Sequence, residues 1–183
     1  MKAEKIFRNL PVLKTKRLIL RKITLKDIDA IYDYACSRQT TKYMIWKPHK
    51  SKSETKNFII DTLQRYKNGQ PASWGIVCLK CNKLIGMAGF TEYSAIHKTG
   101  GIGYVLLPEC WNKGYMTEAV KEIIKFGFNR LGLNRVEATC DVKNKGSARV
   151  MEKSGMKFEG TMRKCVIRQG SRITDAKLYA IVK

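Results

Sequence analysis

The chain has 183 residues, 44% of them hydrophobic, and its 36 Lys and Arg outnumber 15 Asp and Glu, giving a formal charge of +21 and enough apolar surface for a sizeable core. Its longest stretch without a charged residue, 68–79, is 12 residues and too short to cross a membrane, and residues 1–13 alternate charged and apolar side chains instead of forming an export signal. Disorder, a membrane span and a secreted disulfide scaffold are set aside, and a single cytoplasmic domain over 1–183, with its six cysteines reduced, is expected.

The segment 17–23, RLILRKI, mixes β-branched and basic residues as an edge strand does. Thr24, with Asp27 three residues on, then starts a helix whose apolar face is Ile28, Ile31, Tyr32 and Ala35. After a connector at 42–52, a second helix over 53–66 carries Phe58, Ile59, Thr62, Leu63 and Tyr66 at helical spacing and ends before Asn68-Gly69. Three strands, 73–80, 84–92 and 100–107, form an antiparallel meander. Pro108 stops the third, and a long helix from 115 to 131 follows, with Met116, Ala119, Val120, Ile123, Ile124, Gly127 and Phe128 on one face. A fifth strand, 135–141, alternates Val136, Ala138 and Cys140 with polar residues. A short helix, 146–154, ends at Gly155, and strands 158–168 and 172–182 turn at Gln169-Gly170. The order is βααβββαβαββ, an α+β chain of about seven strands and four helices with no repeat and no interdomain linker.

Cys78 and Cys81 form one CxxC, but no second CxxC exists and the only histidines are His49 and His97, so these read as strand-end thiols and no metal is expected. The positive charge is concentrated toward both ends of the chain, +11 over 1–70 and +7 over 141–183 against +3 between. Such a field attracts anions, whether nucleic acid, acidic protein or phosphorylated cofactor, and does not choose among them.

The chemistry points to 101–119, GIGYVLLPECWNKGYMTEA, where a strand broken by proline passes through Asn112-Lys113-Gly114 into a helix. The first turn of a helix leaves backbone N–H groups unpaired and carries partial positive charge, glycine allows close approach, and Lys113 adds a full charge, so the junction suits a phosphate. It has neither the spacing of a P-loop nor the third glycine of a dinucleotide fingerprint.

Over nearly its whole length the sequence resembles the GNAT superfamily of acetyl-CoA-dependent N-acetyltransferases, and within it the RimJ/RimL-like branch that acetylates ribosomal-protein N-termini. The resemblance rests on Lys14-Thr15-Lys16-Arg17-Leu18 with Leu20-Arg21, on Ile102-Gly103-Tyr104-Val105-Leu106, and on Trp111-Asn112-Lys113-Gly114-Tyr115-Met116-Thr117-Glu118-Ala119. Asn144, Ser147, Glu152-Lys153-Ser154-Gly155, Glu159-Gly160, Arg163, Gly170 and Asp175 complete it. It implies a mixed, mostly antiparallel sheet with a splay between the fourth and fifth strands. It further implies that the coenzyme A pyrophosphate sits on the amides of Asn112, Lys113, Gly114, Tyr115, Met116 and Thr117. The pantetheine arm would pair along Tyr104, Val105, Leu106 and Leu107 like an added strand. Asn144 would hold the same arm, and Ser147 would lie near the thioester sulfur as proton donor, with helix capping as its structural alternative.

Attack of a neutral amine on a thioester needs a base, an oxyanion donor and an acid. The backbone N–H of Val105 is the donor candidate. Related enzymes often carry Glu immediately before Ile-Gly-Tyr, where this chain has Gly101, so Glu92 at the end of the preceding strand is the substitute candidate for the base, acting through water, with an exposed strand-end charge as its structural alternative. Met116 stands where the family prefers a small residue and would narrow the pyrophosphate loop, and Met156 stands where an aromatic is usual. The acceptor pocket is expected from the connector with Tyr43, Trp46 and His49, the loop 93–98 and the final hairpin, all basic regions that suit an acidic or ribosomal protein N-terminus. Nucleic acid enters only through ribosome association, and the chain is expected to be a monomer or homodimer. Two alternatives stand beside this reading, a polyamine or aminoglycoside acetyltransferase of the same fold and a basic nucleic-acid-binding module.

Overall fold

The computed structural model describes residues 2–183, and Met1 lies outside them. One sheet of eight strands organises the chain: β1 (Leu13–Lys14), β2 (Leu18–Arg21), β3 (Ser73–Cys78), β4 (Lys83–Ser94), β5 (Thr99–Leu106), β6 (Arg135–Asp141), β7 (Lys157–Arg168) and β8 (Arg172–Val182). Their spatial order is β1-β2-β3-β4-β5-β6-β8-β7, and every neighbouring pair is antiparallel except β5 and β6. Six α-helices complete the α+β architecture: α1 (Lys2–Arg8), α2 (Ile28–Ala35), α3 (Arg38–Thr41), α4 (Lys52–Asn68), α5 (Tyr115–Phe126) and α6 (Lys145–Lys153).

The expected elements all form, and three short ones are added: α1, β1 and α3. The helix α1 is held by tertiary contacts: Phe7 is buried and meets the rings of Phe90 and Tyr93 edge-on at 6.1 and 5.9 Å. The indole N–H of Trp74 donates to the Pro11 carbonyl at 2.7 Å just beyond it. Thr24 and Asp27 form the anticipated capping box, and the Arg21 guanidinium also grips Asp27 with two bonds of 2.8 and 2.7 Å. Burial raises the Asp27 pKa, and the bonds from Arg21 and Thr24 outweigh it and leave the carboxyl below its ordinary value.

Helix α5 lays Met116, Ala119, Val120, Ile123 and Ile124 on the core, the face read from its spacing. It is shorter than expected, because the segment Gly127–Leu131 widens into a π-helical turn. Gly127 packs there so tightly that a Cβ would lie 3.0 Å from Phe90 and 3.2 Å from Leu133.

What positions the site is the way β5 and β6 part. They pair only at Thr99–Arg135, Gly100–Val136 and Gly101–Glu137. Beyond Gly101, β5 follows β4 as far as Leu106, while β6 follows β8 as far as Asp141. The sheet thus opens between its fifth and sixth strands, the anticipated splay with the added β1 counted in.

Candidate active site

The strand-to-helix junction builds a cradle of amides. Pro108–Cys110 forms a 3-10 turn, after which Asn112 and Gly114 both take left-handed backbone angles, φ 59° and 78°. The first helical bond of α5 runs from the Glu118 N–H to the Gly114 carbonyl at 3.0 Å. Among the described residues, no backbone acceptor therefore meets the amides of Asn112, Lys113, Gly114, Tyr115, Met116 and Thr117. Met116 is buried in the core, so its side chain points away from the cradle and does not narrow it as expected.

A clamp that the motifs alone did not reveal holds this junction. The Glu118 carboxylate accepts from the Thr15 hydroxyl at 2.6 Å, the Arg17 N–H at 2.8 Å and the Arg17 Nε at 2.7 Å. Arg17 Nη1 then donates to the Lys113 carbonyl at 2.9 Å, and its guanidinium lies over the Tyr115 ring at 4.5 Å. Desolvation pushes the Glu118 pKa up, and the bonds from Thr15 and Arg17 outweigh it, so the carboxyl sits below its ordinary value.

The phase of the β4–β5 ladder decides which backbone groups face the opening. The Leu107 N–H donates to the Ile85 carbonyl at 2.8 Å, while the Leu106 carbonyl turns the other way and accepts the Trp111 indole N–H at 2.8 Å. Alternation along an antiparallel pair then points the Val105 N–H and C=O across to Met87 of β4, its partner in register. The Val105 carbonyl lies so close to Gly86 that a Cβ there would come within 2.3 Å of it. The expected free donor at Val105 is thus corrected: the amides of Tyr104 and Leu106 face the opening, and no strand of the sheet lies opposite them among the described residues.

Across the gap stands α6. Asn144 is its cap, accepting the Ser147 N–H on Oδ1 at 3.1 Å, so the capping role once open for Ser147 belongs to Asn144. The Ser147 hydroxyl instead meets the Tyr104 hydroxyl at 2.9 Å, and the same phenol lies 3.1 Å from the Ser147 carbonyl. Burial raises the Tyr104 pKa far above its ordinary value, more than the Ser147 bond lowers it, and the phenol keeps its proton.

Glu92 lies at the apex of the splay. It pairs with Gly101 just after an irregularity in β4, and Gly101 in turn pairs with Glu137, so the three residues stand abreast on adjoining strands. A Cβ at Gly101 would lie 3.8 Å from the Glu92 carboxyl carbon. The Glu92 carboxyl therefore leans into the space that a glutamate at 101 would occupy, a substitution in space that sequence order conceals. Glu92, Gly101 and Glu137 line a cavity of about 370 Å³ with Tyr93, Ser94 and Thr99. Glu137 is taken by Arg135 Nε at 2.8 Å, and Arg135 also holds Glu159, whereas Glu92 has no ion-pair partner among the described residues.

The connector and the final hairpin meet at the open end of the gap, past Asp141. Arg168 forms a buried pair with Asp141 at 3.1 Å and donates to the Tyr43 carbonyl at 2.6 Å. Gln169 bonds the carbonyls of Thr41 and Ile45, and Arg172 that of Lys42. Between them lies a cavity of about 280 Å³ lined by Arg38, Thr41, Lys42, Pro48, Gln169 and Arg172, with no acidic side chain in its wall. Trp46 stacks toward His49 at 5.4 Å, and His49 bonds the Thr55 hydroxyl at 2.9 Å, so Trp46 and His49 brace the connector against α4.

An amide cradle for phosphates, an open strand edge for an amide-bearing arm and a hydroxyl pair beside that edge together fit coenzyme A. Among the described residues no cluster of metal-ligating side chains occurs, and no helix is long and apolar enough to cross a membrane.

Residues 17–157 match the family described as Acetyltransferase (GNAT) domain. The chain is 32% identical over 173 residues to an uncharacterized N-acetyltransferase, YoaA, of Bacillus subtilis (strain 168), covering 94% of this chain and 97% of that protein. It is 22% identical over 169 residues to the ribosomal-protein-serine acetyltransferase of Escherichia coli (strain K12), covering 91% and 93% of the two chains. The crystal structure of a GNAT-family acetyltransferase from Bacillus anthracis superposes with a TM-score of 0.82 at 33% identity, covering 94% of this chain and 98% of that one. With family match, relatives and geometry in agreement, the chain belongs to the GNAT acetyltransferase family and is an acetyl-CoA-dependent N-acetyltransferase.

Proposed function

We propose that the acceptor is the N-terminal amine of a protein, ribosomal or otherwise acidic near that end, and that it reaches the acetyl group through the opening between β5 and β6. The observation that carries this is the charge arrangement: one unpaired carboxylate, Glu92, at the closed end of the gap and a cavity walled by Arg38, Lys42 and Arg172 at its open end. An amine flanked by acidic residues matches both. A free polyamine matches only the first, since Arg135 already neutralises Glu137, and the cationic end would repel it. The ribosomal-protein-serine acetyltransferase relative supports a protein acceptor.

Bound acetyl-CoA supplies an activated acetyl thioester. The amides of residues 112–117 with Lys113 bind its phosphates, and Arg17 and Glu118 keep that loop in shape. The strand edge at Tyr104 and Leu106, with Asn144 opposite, aligns the arm, and the gap-facing amides of those two β5 residues stabilise charge that develops on the acyl oxygen. Glu92 takes the amine proton through water, and the Ser147 hydroxyl, oriented by Tyr104, gives a proton to the departing sulfur.

Incubation with acetyl-CoA and a panel of acidic, neutral and basic N-terminal peptides, ribosomal proteins and spermidine, with thiol release as readout, tests the proposal. Acidic or ribosomal N-termini are expected to turn over fastest, and faster acetylation of spermidine would overturn it.

A further inference from the structure

The CxxC motif has no part in the transfer chemistry, and its placement gives it another. Cys78 ends β3, and the turn after it is closed by the Asn82 N–H bonding the Cys78 carbonyl at 2.8 Å, with Asn82 at φ 52°. Cys81 lies inside this closed turn, three residues after Cys78. Cys78 is buried and Cys81 exposed. On its other side Cys78 Sγ lies 4.0 Å from the hydroxyl of Tyr115, the first residue of α5, whose ring carries the Arg17 guanidinium. The dithiol is therefore one side chain away from the amide cradle.

We infer that Cys78 and Cys81 are a reversible dithiol–disulfide pair, oxidised by low-molecular-weight disulfides, and that the first turn of α5 responds to its state. The response rests on the placement of coenzyme A in that cradle, and the oxidation does not. The exposed Cys81 thiolate attacks one sulfur of the small disulfide and displaces the other half as a thiolate. The Cys78 sulfur then attacks Cys81 in the mixed disulfide and releases the second half. Two chain thiols become one disulfide, one small disulfide becomes two thiols, and the two chain protons pass to the departing sulfurs. Burial opposes ionisation of Cys78, but the turn amides, the Cys81 thiol and the Tyr115 hydroxyl outweigh it and hold the thiol below its ordinary value, which suits the resolving step. Once bonded to Cys81, Sγ of Cys78 has no S–H to donate to the Tyr115 hydroxyl, and the phenol loses its sulfur partner.

The test is equilibration of the full chain in graded glutathione disulfide and glutathione, followed by alkylation and peptide mass mapping. A disulfide between Cys78 and Cys81 is expected, at ratios where Cys165 carries at most a glutathione adduct. In Cys81→Ser the same treatment is expected to leave Cys78 alkylatable, and in Cys78→Ser glutathione is expected to remain on Cys81. Alkylated Cys78 and Cys81 under conditions that modify Cys165, or a disulfide through Cys110 instead, would overturn the assignment. Calorimetry with coenzyme A is then expected to show roughly fivefold weaker affinity for the oxidised chain, and no change for Cys81→Ser treated alike. Equal affinity in both states would refute the coupling to α5. Absence of binding even to the reduced chain would refute the cofactor placement and the coupling together, and the mass map tells that failure apart from failure of the dithiol itself.

Discussion

Replacing Ser147 by Ala isolates the proton donor, because the backbone N–H that Asn144 caps is retained and only the hydroxyl facing Tyr104 is lost. A positioned general acid contributes at least about 10²-fold, so kcat should fall by about that factor, equivalent to about 2.7 kcal/mol. The Tyr104 phenol touches both Oγ and the carbonyl of Ser147, and Tyr104→Phe deletes both contacts, of which the one that orients the donor, to Oγ, is a neutral hydrogen bond worth about 1 kcal/mol, or about fivefold in kcat. If Tyr104 acts through Ser147, the double variant should be no slower than Ser147→Ala, since the pair works as a unit. The assay is thiol release under saturating acceptor, with coenzyme A affinity measured separately by calorimetry and expected to stay within about threefold. A kcat within twofold of the parent in Ser147→Ala would refute the assignment, and a larger loss in Tyr104→Phe than in Ser147→Ala would transfer the acid role to the phenol.

Other measurements probe the scaffold. Gly89→Ala places a Cβ 2.3 Å from Ser73 Cα and 2.6 Å from the Ala72 carbonyl, both backbone, so the β3–β4 pair must separate, and a loss of at least about 2 kcal/mol is expected in urea unfolding. Glu118→Gln leaves one oxygen to serve three donors from Thr15 and Arg17, and both a lower Tm and weaker coenzyme A binding are expected by scanning fluorimetry and calorimetry, with unchanged binding refuting the clamp. Stability should fall with acid in two windows. Desolvation, only partly offset by Glu54, depresses the His49 pKa, so the unfolded chain takes that proton first and Tm declines as pH drops below 6.5, the ordinary histidine value, a slope that His49→Asn should abolish. Glu118, also depressed, contributes stability above the ordinary glutamate value of 4.5 that is lost as pH falls through its lower folded value, and a Tm flat from neutral pH to 4 would contradict both signs.

Local pattern carried most of the architecture. The period of α5, the capping box at Thr24 and Asp27 and the turn at Gln169-Gly170 each depend on neighbours in the chain, and each formed where its residues placed it. The site divided along the same line. The amide cradle at 112–117 is a property of one contiguous segment and could be read from it. The direction of the Val105 N–H depends on ladder phase, which is set by the Leu107–Ile85 bond and has no signature in a run of apolar residues. Glu92 and Gly101 are brought together by a strand irregularity, and Tyr104 and Ser147 are 43 positions apart. The buried pair of Arg168 and Asp141 shows no spacing at all, although an arginine and an aspartate at the ends of expected strands were both visible. Helix α1 escaped notice because seven residues with mixed charge make a weak periodic signal, and its docking through Phe7 is a long-range event.

The short run of pairing between β5 and β6 has a mechanical consequence. Five strands on one side and three on the other are joined within the sheet by three rungs, so the strand-to-strand continuity of the sheet beyond Gly101 depends on what is lodged in the seam. A coenzyme that bridges Tyr104 and Leu106 to α6 would act as a tie beam as well as a reagent, stiffening both halves while it is present and releasing them with each departing product. Amide exchange in β5 and β6 should then slow with coenzyme A far more than exchange in β2 or β3, making the seam a gauge of occupancy that can be read without following the chemistry.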